Sequence, residues 1–350
     1  MKTIQISNHK IGQHFKPFIV AEMSGNHNQS LNHALDIVNA VADAGADALK
    51  LQTYTPDTMT INYAQNEFFI NDDNSLWKGQ SLYDLYMKAY TPWEWHEPIF
   101  ERCKERGILA FSSPFDASAV DFLETLDVPC YKIASFELVD LPLIQKVAST
   151  NKPIILSTGM ANIAEISEAV QMVRETGNEN IILLKCTSTY PALPNDTNLR
   201  TIAHMRDLFN CEVGISDHTM GLGVSVASVA FGVSFIEKHV TLDRNEGGVD
   251  SAFSLEPDEL RQLVIESERA WRALGSISYQ YSETEEQSLA FRRSIYVIKD
   301  IGKNEQLTTE NIRVIRPGFG LKPKYFSNVL GKMVKKHLKR GMPLRWEDIL

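Results

Sequence analysis

The chain has 350 residues and a formal net charge of −9, with 43% hydrophobic and 23% charged residues. This length suits one large domain and a small one, and the composition is ordinary for a globular enzyme. No apolar run approaches the roughly 20 residues of a membrane span, and residues 1–12 are polar rather than signal-like. We therefore expect a cytoplasmic protein that is not embedded in a membrane.

The charge is unevenly distributed along the chain. Residues 287–350 contain 14 Lys and Arg against 5 Asp and Glu, a net charge of +9, so the first 286 residues carry −18. A basic tail on an acidic body indicates either nucleic-acid binding or docking on an acidic surface of a second copy. The tail contains no recognisable nucleic-acid motif, so we expect docking on a copy and no nucleic-acid partner.

Eight short, continuous apolar runs predict strands that are buried on both faces. In chain order they are Phe18–Met23, Ala48–Gln52, Ile108–Ser112, Cys130–Ala134, Pro153–Ser157, Ile181–Cys186, Glu212–Ile215 and Ser234–His239. Amphipathic stretches between them predict helices over Leu31–Ala42, Pro92–Gly107, Leu138–Ala148, Ile163–Val173 and Gly221–Ala230. Eight β-then-α units predict an α/β fold, a (β/α)8 TIM barrel. A doubly wound open sheet is the alternative, but no Gly-rich phosphate turn follows the first strand.

A long insertion, Thr53–Tyr90, separates the second and third units. It is polar and aromatic, with Trp77, Tyr83, Tyr86 and Tyr90. Long loops after barrel strands usually cover the face that carries the active site, so we expect this segment to lie over it.

The pattern changes after Gly275. Residues 276–287 are polar and acidic, and we interpret them as a linker between a barrel domain at 1–275 and a second domain at 288–350. The second domain contains an internal repeat with an offset of 37 residues, in which Ile301–Ile312 aligns with Leu338–Ile349. Two copies predict a small, pseudo-symmetric, β-rich domain with short helical turns.

Nearly every predicted barrel strand ends in polar residues. Catalytic groups of barrels come from the C-terminal ends of the strands and the loops beyond them. These residues include Glu22, Lys50, Gln52, Ser113, Lys132, Ser135, Glu137, Ser157, Ser188, Tyr190, Ser216, His218, Glu237 and His239. Because all eight strands share this feature, we expect the strand ends to form one active site.

Lys50 and Lys132 lie in apolar strands, where a desolvated ammonium group is costly unless an anion meets it. The alternative is that each lysine reaches out of the barrel or pairs with Glu22. Hydroxyl groups at the neighbouring strand ends add neutral donors. Together these groups can hold a phosphate and a carboxylate on one small molecule.

His218 and His239 end adjacent strands, which lie about 5 Å apart, so two imidazoles at matching heights can share one metal ion. Two histidines leave positions open for water and substrate, which is typical of a catalytic metal. A hydrogen-bonded core residue is the alternative for each histidine. For the carboxylates nearest the predicted centre, Glu22 and Glu137, acid–base chemistry and plain ion pairing both stay open.

Seven short segments form an ordered series of motifs along the chain. They are Ala21–Asn28, Leu49–Thr53, Tyr131–Glu137, Leu156–Met160, Cys186–Pro191, Ser216–Thr219 and Glu237–His239. This pattern resembles the sialic acid synthase family, and Arg316–Gly318 with the tail repeat resembles that family's C-terminal antifreeze-like (SAF) domain. The resemblance covers essentially the whole chain.

The resemblance implies a TIM barrel followed by the antifreeze-like domain, assembled as a domain-swapped homodimer in which each tail caps the other subunit's barrel. It implies phosphoenolpyruvate as the three-carbon donor and an acetamido sugar as the acceptor. It also implies a divalent cation, typically Mn²⁺, with Mg²⁺ or Co²⁺ as alternatives.

Carried over position by position, the resemblance also implies residue roles. The phosphoenolpyruvate pocket comprises Lys50, Ser113, Lys132, Ser135, Ser157, Ser188, Tyr190 and Ser216, although the family usually carries Asn at position 188. The metal ligands are His218 and His239. The sugar contacts are Gln52, Glu137 and Asp250, with Arg316 supplied by the partner's tail. Glu22 matches the carboxylate that handles the proton of the attacking water.

Three further segments, residues 75–86, 90–96 and 247–255, resemble the pseudaminic acid synthase branch of the family more than the N-acetylneuraminic branch. This branch implies 2,4-diacetamido-2,4,6-trideoxy-β-L-altropyranose as the acceptor. Synthesis of N-acetylneuraminic or legionaminic acid is the alternative within the family. A Schiff-base aldolase that uses Lys132 is the alternative outside it.

Overall fold

The computed structural model describes residues 2–73 and 75–350. These residues form two compact units, with the boundary between Gly275 and Ser276. None of the helices in the described part of the chain is both long and apolar enough to cross a membrane.

The first unit is a closed barrel of eight parallel strands, preceded by a short antiparallel hairpin of β1 (Ile4–Ile6) and β2 (His9–Ile11). The barrel strands are β3 (Phe18–Glu22), β4 (Ala48–Thr53), β5 (Leu109–Pro114), β6 (Tyr131–Ile133), β7 (Ile154–Ser157), β8 (Ile181–Cys186), β9 (Glu212–Ser216) and β10 (Phe235–His239). They pair in chain order, and β10 closes the barrel on β3. The predicted TIM barrel is therefore confirmed, with strand ends that differ from the predicted ones by at most two residues.

Helices surround the barrel and fill the connections between its strands. In chain order they are α1 (Leu31–Ala44), α2 (Pro56–Met59), α3 (Leu82–Ala89), α4 (His96–Arg106), α5 (Ala117–Thr125), α6 (Leu141–Ala148), α7 (Ile163–Glu175), α8 (Thr201–Phe209), α9 (Gly223–Ser228) and α10 (Pro257–Leu274). The boundaries follow local chemistry. The side chain of Ser30 accepts a hydrogen bond from the backbone N–H of His33 to cap α1, and Gly45 ends α1 at a left-handed φ of 84°.

Two apolar layers hold the barrel together. The larger lies between the strands and the helices and includes Ile37, Val41, Leu49 and Leu183. The smaller fills the barrel interior and includes residues of the β1–β2 hairpin. Because this interior is packed at the N-terminal end, open space for a ligand remains at the C-terminal end of the strands.

The second unit contains α11 (Glu283–Glu286), β11 (Ser294–Val297), β12 (Ile312–Ile315) and α12 (Phe326–Val329), with β11 and β12 antiparallel. The segment interpreted as a linker includes α11. Ile301 and Leu338 occupy equivalent positions in the repeat, and they exchange both backbone hydrogen bonds at 2.9 Å. The two copies therefore pair about an approximate two-fold axis, as the predicted pseudo-symmetry requires.

Candidate active site

A cavity of about 600 Å³ opens at the C-terminal ends of the barrel strands. Twelve of the fifteen predicted site residues line it: Glu22, Lys50, Gln52, Lys132, Ser135, Glu137, Ser157, Tyr190, Ser216, His218, His239 and Asp250. The structure therefore brings most of the strand-end side chains into one space. The remaining three are Ser113, Ser188 and Arg316.

The remaining three residues have different positions. Ser113 is buried at the end of β5 and pairs in register with Gln52 of β4. The hydroxyl oxygen of Ser188 lies 3.7 Å from the sulfur of Cys186, which lines the cavity. Arg316 belongs to the second unit, where it is exposed directly after β12.

Strand register places His239, Glu22 and Lys50 side by side on β10, β3 and β4. Lys50 Nζ lies 2.9 Å from Glu22 Oε2 and 3.1 Å from Glu237 Oε1. Lys132 reaches the same Glu237 oxygen from β6 at 2.9 Å. The four charged groups of Glu22, Lys50, Lys132 and Glu237, here called the barrel-floor cluster, are all buried. Both lysines are thus ion-paired: Lys50 pairs with Glu22, as the alternative interpretation of the sequence allowed, whereas Lys132 pairs with Glu237 instead.

Burial and opposite charge compete at each member of the barrel-floor cluster. Burial would raise the pKa of Glu22, but Lys50, His239 and Lys132 hold this pKa well below its usual range. Burial would lower the pKa of Lys50, but Glu22 and Glu237 raise it above the ordinary value. Glu22 is therefore an ionised carboxylate at neutral pH, which is the form that accepts a proton.

Several hydroxyl groups surround this cluster. Ser113 Oγ and Ser157 Oγ are buried and make no hydrogen bond within the described chain. Ser135 Oγ accepts a hydrogen bond from the backbone N–H of Gly159 at 3.1 Å. A Cβ on residue 159 would lie 2.0 Å from Ser188 Oγ, so glycine is required for this close approach. The unpaired hydroxyls leave donors available to an anionic ligand.

The rings of His218 and His239 are adjacent, with 5.3 Å between their centroids. His218 Nδ1 lies 3.0 Å from the carbonyl oxygen of Thr187, so its Nε2 remains for another partner. His239 Nε2 lies 3.3 Å from Glu22 Oε2, while its Nδ1 is buried without a hydrogen bond, 3.7 Å from Asp250 Oδ2. Burial lowers the pKa of His239 despite these carboxylates, which favours the neutral, metal-binding form of the ring.

These two histidines fit a divalent cation that accepts mixed nitrogen and oxygen ligands. His239 Nδ1, which makes no hydrogen bond in the described chain, and the neighbouring carboxylate of Asp250 are groups that can bind such an ion. In residues 2–73 and 75–350, no group of three or more His, Cys, Asp or Glu side chains is arranged to hold a metal ion. The two imidazoles would therefore hold such a cation only together with ligands from water or substrate.

A turn behind the histidines fixes the position of His218. Asp217 Oδ1 accepts hydrogen bonds from the backbone N–H and the hydroxyl of Thr219 at 2.9 and 2.7 Å. Ser225 of α9 donates to the other carboxylate oxygen of Asp217. His218 lies between Asp217 and Thr219, so this buried network anchors its backbone on both sides.

The insertion supplies the upper wall of the cavity, as predicted. Its apolar lining residues are Tyr54, Met59, Ile70, Trp77, Leu82, Leu85, Tyr86 and Ala89, and Asp72 and Ser75 are polar. The cavity is therefore charged at the strand ends and mainly apolar where the insertion covers it.

Two of the lining residues that were assigned no role from the sequence, Glu237 and Cys186, contact proposed site residues. Glu237 was noted only as a polar strand end, yet it bridges Lys50, Lys132 and Ser216. Cys186 was given no role, and its sulfur lies 3.9 Å from His218 Nδ1. The placement of Glu237 two residues before His239 was the available signal, because alternate strand residues face the same side.

Comparison with known proteins agrees with the geometry of the site. The model of the NeuB family matches residues 37–279, and that of the SAF domain matches residues 292–350. The chain is 44% identical to the pseudaminic acid synthase of Helicobacter pylori over 95% of this chain and 98% of that protein. It is 37% identical to the N,N'-diacetyllegionaminic acid synthase of Campylobacter jejuni over 94% of this chain and 99% of that protein.

A solved structure is similar as well. The crystal structure of N-acetylneuraminic acid (sialic acid) synthetase from Leptospira borgpetersenii, in complex with citrate, has a TM-score of 0.73 and 32% sequence identity to the chain. The match covers 82% of this chain and 95% of that one. The chain therefore belongs to the NeuB family, carries a SAF domain after its barrel, and is an enzyme of the synthase class.

Proposed function

We propose that this enzyme condenses phosphoenolpyruvate with 2,4-diacetamido-2,4,6-trideoxy-β-L-altropyranose and water, giving pseudaminic acid and phosphate. The observation that carries this proposal is the higher identity to a pseudaminic acid synthase, 44%, than to a legionaminic acid synthase, 37%. The apolar upper wall of the cavity supports it, because this acceptor has a methyl group at C6 and a second acetamido group. N-acetylneuraminic or legionaminic acid synthesis is the alternative.

The barrel floor suits phosphoenolpyruvate, which carries a phosphate and a carboxylate. Lys50 and Lys132 supply buried positive charge, and Ser113 and Ser157 supply unpaired hydroxyls. Ser135, Ser188, Tyr190 and Ser216 complete the proposed donor pocket. An anion that binds here takes over lysine contacts that Glu22 and Glu237 make in the free protein.

We place the sugar above the donor, between Gln52, Glu137 and Asp250. Gln52 Nε2 donates to Glu22 Oε1 at 2.7 Å, which links the sugar side of the site to the proposed catalytic carboxylate. Asp250 accepts a hydrogen bond from Ser24 and lies beside His239. Arg316 of the partner subunit is the fourth proposed sugar contact.

A homodimer agrees with the surface of the barrel. The loops after β6, β7, β8 and β9 expose Phe136, Val139, Met160, Leu193 and Met220, each more than half accessible. Exposed apolar groups of this kind mark protein–protein contacts. The opposite net charges of body and tail add an electrostatic reason for a tail to dock on a barrel.

In the proposed reaction, C3 of phosphoenolpyruvate attacks the aldehyde carbon of the open-chain sugar, and positive charge develops at C2. Lys50, Lys132 and the hydroxyls hold the donor in line, which lowers the entropic cost of the encounter. Water adds at C2 as Glu22 takes its proton, and the tetrahedral intermediate expels phosphate by C–O cleavage. A divalent cation at His218 and His239, Mn²⁺ with Mg²⁺ or Co²⁺ as alternatives, supplies polarisation of the aldehyde carbonyl when bound.

Phosphate release from phosphoenolpyruvate in the presence of Mn²⁺ tests the proposal, with the diacetamido trideoxy altrose compared with N-acetylmannosamine. Release with the altrose alone supports it. Release with N-acetylmannosamine alone moves the enzyme to the sialic acid branch and overturns the acceptor assignment. Chelation should abolish release, and added Mn²⁺ should restore it.

Two controls test the chemistry. With ¹⁸O in the bridging position of phosphoenolpyruvate, the label should leave with phosphate, and its retention in the sugar acid contradicts C–O cleavage. Borohydride with pyruvate should trap no adduct on Lys132, whereas trapping supports a Schiff-base aldolase instead.

A further inference from the structure

Two segments that are distant in the chain meet at one wall of the cavity. Trp77 of the insertion donates its indole N–H to the carbonyl oxygen of Val249 at 2.9 Å. Val249 directly precedes Asp250, which lies beside His239. The N–H is the only polar group of an indole, so this bond leaves the rest of the Trp77 ring as an apolar surface on the cavity.

A row of aromatic rings runs from Trp77 to the two histidines. The Trp77 and Tyr190 ring centroids are 6.0 Å apart, and those of Tyr190 and His218 are 4.5 Å apart. Phe253 lies beside this row, 5.4 Å from Tyr190 and 5.0 Å from His239. Trp77 and His218 are therefore separated by no more than the sum of the first two distances.

An open-chain sugar is long enough to reach across this upper limit. Five carbon–carbon bonds span about 6 Å, at roughly 1.2 Å per bond in an extended chain. Contact between a terminal carbon and a ring adds about 3.5–4 Å. A six-carbon acceptor whose C1 aldehyde lies at the two histidines can therefore reach the Trp77 ring with its C6 end.

We propose that Trp77 is a specificity-determining residue that contacts C6 of the open-chain acceptor and selects a methyl group there over a hydroxymethyl group. This inference rests on the proposed condensation and assigns the recognition of one substituent within it. Ile70, Leu82 and Leu85, which belong to the same insertion as Trp77, also line the cavity. A hydroxyl that faces such a wall without a partner loses its hydrogen bonds to water, and apolar pockets reject an added hydroxyl by up to about 100-fold.

The test compares kcat/KM for the diacetamido trideoxy altrose and for its analogue with a hydroxyl at C6. The wild-type enzyme should prefer the 6-deoxy sugar by about 10- to 100-fold. Trp77→Ser should lower kcat/KM for the 6-deoxy sugar and so reduce this ratio at least about tenfold. KM for phosphoenolpyruvate should stay within about twofold of the wild-type value. Trp77→Phe keeps an apolar ring without the N–H and should retain most of the preference. If Trp77→Phe behaves like Trp77→Ser, the hydrogen bond to Val249 rather than the apolar face sets the preference, and the proposal is wrong.

Trp93 provides a matched control. It also donates its indole N–H to a backbone carbonyl, that of Tyr54 at 3.2 Å, but it stacks on Phe122 and does not line the cavity. Trp93→Ser should lower stability and leave the sugar ratio unchanged. An equal loss of preference in Trp93→Ser means general loosening and overturns the role of Trp77.

The same measurements distinguish a failure of this inference from a failure of the proposed function. If the wild-type enzyme uses N-acetylmannosamine and neither diacetamido sugar, the proposed acceptor is wrong. Trp77 is then tested with N-acetylmannosamine and its 6-deoxy form. If the wild-type enzyme prefers the 6-deoxy form and Trp77→Ser removes this preference, contact between Trp77 and C6 is still supported. If the wild-type enzyme uses both forms at equal rates, that contact is contradicted.

Discussion

Lys238 Nζ lies 3.2 Å from Asp217 Oδ2, and these residues directly precede His239 and His218 in the chain. Both side chains of the ion pair are fully buried. Lys238 also donates to the carbonyl oxygen of Thr219 at 2.6 Å. Because successive strand residues face opposite sides, the pair joins β10 to the end of β9 behind the sheet while the histidines face the cavity. The spacing of the two imidazoles thus depends on an ion pair that touches neither ring.

Lys238→Met should therefore weaken both the fold and the proposed metal site. Removing one partner of a buried ion pair costs about 3–5 kcal/mol of unfolding free energy, because the other charge stays buried and unpaired. We expect a lower denaturation midpoint and weaker binding of Mn²⁺, measured by titration with electron paramagnetic resonance.

Lys152→Met is the matched control for this variant. Lys152 pairs with Glu124 at 2.8 Å and Asp127 at 3.3 Å, and none of these residues lines the cavity. The control should lose some stability and keep its affinity for Mn²⁺. Unchanged Mn²⁺ affinity in Lys238→Met contradicts a positioning role for the ion pair.

Glu22→Gln should slow turnover by about 100- to 10,000-fold, the usual contribution of a positioned general base. The amide oxygen still accepts the hydrogen bond from Gln52, and Lys50 keeps Glu237 as a partner. Affinity for phosphoenolpyruvate, measured by calorimetry without the sugar, should change little. A turnover number near that of the wild-type enzyme removes Glu22 from the chemistry.

The stability of the protein should depend on the ionisation of Glu137. Burial, with Asp140 nearby, raises the pKa of this carboxyl group to about 7, and its Oε2 is buried without a hydrogen bond. The native state therefore holds this proton more tightly than the unfolded state, so stability falls as the pH rises from about 4.5 to about 7. Relative to Glu137→Gln, the wild-type protein should lose up to about 3 kcal/mol of unfolding free energy between pH 4.5 and 8. Parallel stability profiles for the two proteins contradict this.

Mixing two impaired variants, at a sugar concentration well below the raised KM, tests whether Arg316 acts on the partner's barrel. Arg316→Ala alone should raise KM for the sugar more than KM for phosphoenolpyruvate. If tails are exchanged, a mixed dimer of Glu22→Gln and Arg316→Ala subunits contains one site with both native residues, and activity returns on mixing. If each tail serves its own barrel, no site is intact and mixing restores nothing.

The barrel and most of its site were predictable because the signals are local. A buried parallel strand appears as a continuous apolar run, and its polar C-terminal residue faces the site by position alone. Contacts between distant strands leave no such signal. Lys132 meets Glu237 across 105 residues, and Trp77 meets Val249 across 172 residues, so neither partner is readable from spacing. The polar strand ends predicted a site, whereas its internal ion pairs depend on the closed barrel.

The barrel-floor cluster has a consequence for how ligands load. The charges of its two carboxylates and two ammonium groups cancel, so the cluster carries no net charge. A ligand that carries both a phosphate and a carboxylate gives this buried space a net negative charge. A dication held by His218 and His239 would compensate that excess, and by linkage each ligand would then favour binding of the other. Phosphoenolpyruvate and the metal ion should therefore bind with positive cooperativity, each tightening the affinity for the other.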